Sequence, residues 1–330
     1  MKVLFQCEQL NYRGVTNSVY DYARYNQEIL GNESIIVYNS SIPILGIDTG
    51  SIPTVVDKFK KQFNVVSYSS EEELNDIASK YDVCYSQRAG HKVDLGGNRI
   101  PIVTTTKFAV HSVFQYYDPH GDVYAYISEW VSNNIAKTYN VPVCPFVPYI
   151  VESPKPTMDL RQVIGIPKNK LVFGRHGGFN TFDIPFVKQT ILRILNERDD
   201  IVFLFLNTEK FVDHPNVVHI NPVFDRNTVS NFVNACDAML HARMLGESFG
   251  LAISEFLYHN KPVLAWEGGY DGNHVNMLSD YKTLYNETNV YDMIMNFREM
   301  PKQDFKKIVE PFTPKNVMQK FADVFLLQPT

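Results

Sequence analysis

Two glutamates, Glu247 and Glu255, bracket the stretch of this chain best suited to holding a polar ligand. They lie in Leu240-His241-Ala242-Arg243-Met244-Leu245-Gly246-Glu247-Ser248-Phe249-Gly250-Leu251-Ala252-Ile253-Ser254-Glu255, which reads as a strand end, a glycine-bearing loop and a helix start. A helix N-terminus carries unpaired amides and about half a positive charge, so it favours an anion such as a diphosphate. Gly250 has no Cβ, which lets a ligand approach the amides of Phe249, Gly250 and Leu251, with Ser248 in the same turn. Carboxylates accept the hydroxyl hydrogens of sugars and riboses. Glu247 before the helix and Glu255 about one turn inside it can address opposite ends of one extended ligand.

A second segment, Phe173-Gly174-Arg175-His176-Gly177-Gly178-Phe179-Asn180-Thr181-Phe182-Asp183, directly follows a strand. The planar fork of Arg175 matches phosphate oxygens, and Gly177 and Gly178 free backbone amides to do likewise. A glycine turn with a surface arginine has the same composition. His241 and His274 have no carboxylate or cysteine partner at metal-ligand spacing and read as structural, so no metal site is expected.

The order Gly246-Glu247, Phe249-Gly250-Leu251, Glu255 and then Lys261-Pro262-Val263 resembles the signature of retaining GT-B glycosyltransferases of the family-four type (glycosyl transferase group 1). The resemblance implies that Glu255 holds the ribose hydroxyls and that Glu247 contacts the transferred sugar near its 3-position. It also implies that the amides of Phe249, Gly250 and Leu251 contact sugar and phosphate. In that family an arginine and a following lysine neutralise the donor diphosphate. Arg175 matches the arginine, but Asn180 stands at the lysine's place and Thr181 at its glycine's, which leaves Arg175, backbone amides and Arg243 for the charge. A histidine near the sugar's 6-position corresponds to His111, with His91 and His120 as competitors, and the glycine of the first strand-to-helix loop corresponds to Gly14. The loop holding Val223 and Phe224 corresponds to part of the base pocket.

These residues need a scaffold, and short apolar runs alternate with amphipathic segments along the whole chain. Val3–Phe5, Ile35–Tyr38, Val65–Ser67, Val83–Tyr85, Ile102–Thr104 and Val123–Ile127 predict strands separated by helices, the pattern of a parallel sheet. Ser128 fits a helix N-cap. Pro142, Pro145, Pro148, Pro154 and Pro156 then suit a semi-rigid connector. The rhythm restarts with strands at Leu171–Gly174, Ile201–Leu206, Val217–Ile220, Ala238–His241 and Pro262–Trp266, and helices at Pro185–Glu197, Asn227–Ala235, Leu251–His259 and Asn273–Leu278. The tail, Pro314–Leu327, repeats apolar residues at helical spacing. The expected fold is α/β: two Rossmann-like domains, 1–150 for the acceptor and 151–313 for the donor, facing across a cleft, with helix 314–327 crossing back.

Composition narrows the classes. At 330 residues with 45% hydrophobic side chains there is enough apolar surface for two cores, and a net charge of −5 gives no basic face for nucleic acid. Cys7, Cys84, Cys144 and Cys236 are far apart, which argues against a disulfide framework. No run approaches the ~18 apolar residues of a membrane span, and the opening residues turn polar too early for a secretory leader, so a cytoplasmic protein is expected. There is no Asp-x-Asp triplet, no Gly-x-Gly-x-x-Gly after the first strand and no Walker motif. The reading is a metal-independent, cofactor-free transferase moving a sugar from a UDP- or GDP-type donor to a glycan or other hydroxyl acceptor, with retention. A nucleotide-sugar epimerase, a phosphorylase or a non-catalytic nucleotide- or glycan-binding protein are the alternatives.

Overall fold

The computed structural model describes residues 1–45, 49–93, 99–223 and 225–327. The chain forms two compact units, Met1–Ile150 with Phe312–Thr330, and Val151–Pro311. It passes from one to the other within the proline-dense stretch, where fixed φ angles and missing donors suit neither ladder nor helix.

The first unit holds β1 (Lys2–Cys7), β2 (Glu33–Asn39), β3 (Asn64–Tyr68), β4 (Val83–Arg88), β5 (Lys107–Ser112) and β6 (Val123–Tyr126). They form one parallel sheet in the order β3-β2-β1-β4-β5-β6. Helices α1 (Gly14–Glu28), α2 (Pro53–Lys60) and α3 (Glu71–Ala78) connect the first four strands, and α4 (Glu129–Tyr139) follows β6. Ser128 caps α4 by accepting from the Val131 amide. Ile102–Thr104 is not a strand. Its backbone is satisfied by a side chain instead: Asn75 accepts from the Thr104 amide at 2.8 Å and donates to the Ile102 carbonyl at 3.1 Å. The strand lies just beyond it, as β5, and His111 falls inside it.

The second unit holds β7 (Leu171–Arg175), β8 (Ile201–Leu206), β9 (Val217–Ile220), β10 (Ala238–His241), β11 (Gly246–Glu247), β12 (Val263–Trp266), β13 (Asp271–Gly272) and β14 (Leu284–Tyr285). Its helices are α5 (Leu160–Val163), α6 (Pro185–Glu197), α7 (Arg226–Ala235), α8 (Leu251–Tyr258), α9 (Asn273–Leu278) and α10 (Val290–Met295). The main sheet is parallel, in the order β14-β12-β10-β7-β8-β9, and β11 pairs separately with β13. The chain therefore builds outward from β7 through β8 to β9, then returns to lay β10 on the other side of β7. In such a sheet ligands bind beyond the carboxyl ends of the strands where the order reverses. Here that point lies between β7 and β10.

The tail re-enters the first unit as α11 (Pro314–Phe321), capped by Thr313 and continued by a wider π-helical turn over Ala322–Leu326. Phe321 packs on Tyr22 and Tyr85 with ring centroids 5.2 and 5.0 Å apart, and Phe325 on Tyr85 and His111 at 5.2 and 5.1 Å. Among the described residues no helix is long and apolar enough to cross a membrane.

Candidate functional site

The two segments singled out by their chemistry leave β7 and β10, the strands at the switch point of the second sheet. The loop after β10 turns back through Gly246, whose φ is +78°. A Cβ there would fall on the Asp271 carbonyl oxygen, so glycine alone permits the β11–β13 pairing. That pairing fixes the backbone of Glu247, whose amide donates to Nδ1 of His274 at 3.2 Å. Nδ1 is thus an acceptor, and Nε2 carries the proton given to the Trp266 carbonyl at 2.8 Å. Burial first, then the neighbouring His241, pushes His274 down to about 4, in keeping with this neutral tautomer.

Both carboxylate oxygens of Glu247 are held. Oε1 accepts from His241 Nε2 at 3.1 Å and Oε2 from Arg243 Nη1 at 2.9 Å. Burial works to raise this carboxyl, but the His241 hydrogen bond and the Arg243 charge outweigh it and hold it at about 2. Glu247 is therefore a fixed anion at neutral pH. His241 was read as structural, without a carboxylate partner; the fold supplies one. Gly250, at φ +93°, begins α8 with no side-chain cap. The amides of the first helical turn have no acceptor within the helix, which leaves this end suited to an anion.

Glu255, one turn into α8, is 19% exposed and its Oε2 lies 2.9 Å from Nε2 of His176, in the loop after β7. The approach is close but off the hydrogen-bond direction. The His176 ring stacks on Phe256 at 5.9 Å. The β7 and β10 loops also meet where Asp183 donates its amide to the Ala242 carbonyl at 3.0 Å and accepts from the Met244 amide at 2.7 Å. Gly177 and Gly178 lie in the same loop, with Gly177 at φ +149°.

Arg175 departs from its expected role. It is only 4% exposed, and its guanidinium turns into its own loop rather than outward. Nη1 donates to Asn207 O at 3.1 Å and Thr208 Oγ1 at 2.6 Å; Nη2 donates to Gly178 O at 2.8 Å and Thr181 Oγ1 at 2.6 Å. Strand alternation explains this, since residues 171, 173 and 175 share one face and Leu171 and Phe173 point into the core. Burial pushes the guanidinium down to about 10. Arg175 thus shapes the glycine loop and presents no fork to a phosphate.

His111 also departs. It is fully buried in β5, with Tyr85 Oη 2.7 Å from Nδ1 and the rings of Tyr22, Tyr85 and Phe325 around it. Burial pushes it down to about 3, so in this environment it is a neutral side chain of the core. Gly14 is the first residue of α1, in the other unit. Val223 is partly exposed in the loop after β9, and Phe224 lies outside the described residues. Beside that loop a cavity of about 400 Å³ opens at the ends of β8 and β9, lined among others by Phe179, Thr208, Lys210, His219 and Asn221.

The residues missed from sequence are His176 and His241, each placed against one of the two glutamates. Gly246-Glu247-Ser248-Phe249-Gly250 also spells the G-x-S-x-G of serine-hydrolase nucleophile elbows. An elbow places a strained serine at the end of a main-sheet strand. Here the left-handed φ angles fall on the flanking glycines, Ser248 has none, and the strand before it is the two-residue β11 outside the main sheet.

No family model matches the chain, and no curated protein matches it. Solved structures do. A glycosyltransferase from Rickettsia africae is 16% identical with a TM-score of 0.69, covering 98% of this chain and 97% of its own. Anabaena HepE, solved with UDP and glucose, is 10% identical with a TM-score of 0.72 over 98% of each chain. The fold is the GT-B fold. It is shared with a UDP-N-acetylglucosamine 2-epimerase, 14% identical with a TM-score of 0.56, over 98% of this chain and 94% of that one.

Proposed function

We propose that the unit Val151–Pro311 binds a nucleotide sugar and that the protein transfers the sugar to a hydroxyl acceptor with retention of configuration and without a metal. The observation that carries this is the convergence, at one switch point, of an uncapped helix start, a clamped and ionised Glu247, and Glu255 one turn further in. In this reading the diphosphate lies at the start of α8 against the amides of Phe249, Gly250 and Leu251, with Ser248, Gly177 and Gly178 beside it. Glu255 takes the ribose hydroxyls, Glu247 takes a hydroxyl of the sugar, and the base enters the hollow beside Val223. HepE, with the same fold, binds UDP and glucose, which supports a UDP-type donor.

Glu247 is ionised with both oxygens engaged, so it suits the role of a positioning acceptor better than that of an acid or a nucleophile. The bond from the anomeric carbon to the phosphate oxygen breaks, the acceptor oxygen bonds to the same face, and its proton passes to the leaving diphosphate. Positioning and stabilisation of the diphosphate charge supply the catalysis. The test is incubation with UDP-glucose, UDP-galactose, UDP-N-acetylglucosamine and GDP-mannose in EDTA, with and without glycan acceptors, followed by proton NMR. Diphosphate release with a product of unchanged anomeric configuration supports the proposal. An inverted product, loss of activity in EDTA, or a free 2-epimerised sugar in place of transfer would refute it.

A further inference from the structure

The side chain of Glu247 springs from the backbone beside the start of α8. A Cβ on Gly250 would stand 3.5 Å from the Cβ of Glu247. Any anion bound to the first amides of α8 would therefore lie against a second negative charge, with an electrostatic cost in so sheltered a site. Something must offset it, and the candidates are few. Arg175 spends its guanidinium on Asn207, Thr208, Gly178 and Thr181. Asn180 is uncharged. His274 is held neutral between the Glu247 amide and the Trp266 carbonyl.

Two clamps remain on Glu247, and they differ in freedom. His241 projects from the end of β10 and its side chain is only 5% exposed. Arg243 sits in the loop, its side chain 22% exposed, and holds the carboxylate by one nitrogen. The backbone of Glu247 is fixed by the β11–β13 pairing and by the close approach at Gly246.

We propose that Arg243 is a two-position cation: in the empty site it clamps Glu247, and when a nucleoside diphosphate binds it turns to the phosphate, leaving His241 as the permanent holder of Glu247. This rests on the donor-site reading above and adds to it a division of labour between two side chains. Arg243 then takes the part that the lysine plays in the family this chain resembles, from the opposite loop. His241 is a positioning residue that acts through Glu247.

The test is calorimetric binding of UDP, GDP and ADP, and of the matching nucleosides, to the full chain and to Arg243→Gln, Arg243→Lys, Glu247→Gln and His241→Asn. Arg243→Gln should weaken the diphosphate by about tenfold or more, as loss of a charge-assisted hydrogen bond does. The nucleoside should be unaffected, and Arg243→Lys should recover part of the loss. Glu247→Gln should act with the opposite sign, tightening the diphosphate ~5-fold by releasing Arg243 and removing the like charge. That gain should shrink in the Arg243→Gln/Glu247→Gln double variant. His241→Asn should leave diphosphate binding within about twofold while lowering sugar transfer through kcat. General damage to the loop would weaken binding in every variant. A diphosphate-to-nucleoside ratio unchanged in Arg243→Gln overturns the proposal, and so does weaker binding in Glu247→Gln, the arm that decides should Arg243→Gln fail to fold. A wild-type protein that binds none of the three diphosphates overturns the donor-site reading as well.

Discussion

Replacing Arg175 by alanine separates a residue that shapes a loop from one that grips phosphate. The guanidinium makes four hydrogen bonds, to Asn207 O, Thr208 Oγ1, Gly178 O and Thr181 Oγ1. Three of those acceptors keep other contacts: Thr181 Oγ1 donates to Gly178 O at 3.0 Å, and Thr208 Oγ1 to Leu206 O at 3.1 Å. Asn207 O is left with none of the hydrogen bonds seen here. A hydrogen bond to a charged group nets ~1.5–3 kcal/mol, and the relief of a buried cation offsets part of several such bonds, so a loss of ~2 kcal/mol follows. In a unit the size of Val151–Pro311 that lowers Tm by ~4–8 °C. Melting curves of wild type and Arg175→Ala, with nucleotide affinities alongside, read both quantities. The loop account predicts a clear drop in Tm in the empty protein and a smaller, secondary loss of affinity. An unchanged Tm with a collapse of diphosphate binding would refute it and restore Arg175 as a direct ligand.

Other outcomes follow from the same geometry. Glu247 titrates at about 2 in the folded chain against an ordinary 4.5. A depressed carboxyl adds stability above its ordinary pKa and loses it as pH falls through the folded value, so the contribution, ~3 kcal/mol at most, should fade between about pH 5 and 2. Acid denaturation of Glu247→Gln should be correspondingly shallower across that window, and an identical slope would count against the clamp. Gly246→Ala combines a left-handed φ with a Cβ placed on the Asp271 carbonyl, so it should disrupt β11–β13 and cost ~3 kcal/mol or more in denaturant melts. His111→Phe should destabilise by ~1–2 kcal/mol through the lost Tyr85 partner, yet leave the pH profile of sugar transfer unmoved. A shifted profile would return His111 to catalysis.

Much of this architecture is written locally. Wholly apolar Ile201–Leu206 is a strand buried on both faces, and Ser128 caps its helix as its type predicts. The glycine-flanked Glu247 and the later Glu255 lie, as the helix start implied, at one switch point. Most of what failed was legible only through long-range pairing. Lys107, His111 and Ser112 disguise β5, while the branched Ile102-Val103-Thr104 is captured by Asn75. The His241–Glu247 bond depends on a turn fixed by Asp271, remote in sequence, and no local pattern announces it. The inward aim of Arg175 was available from strand alternation, since it shares a face with Leu171 and Phe173.

The central claim is that a nucleoside diphosphate binds where β7 and β10 part, with Glu255 on its ribose. The most direct measurement is thermal unfolding with UDP, GDP, ADP, CMP and NAD, all in EDTA, for wild type and Glu255→Ala. A ligand at ~100 times its Kd adds ~2.7 kcal/mol, or ~5–10 °C for a unit of this size. The account predicts such a shift with one nucleoside diphosphate, abolished in Glu255→Ala. A flat response to every diphosphate, a shift with NAD alone, or a shift that survives Glu255→Ala would contradict it.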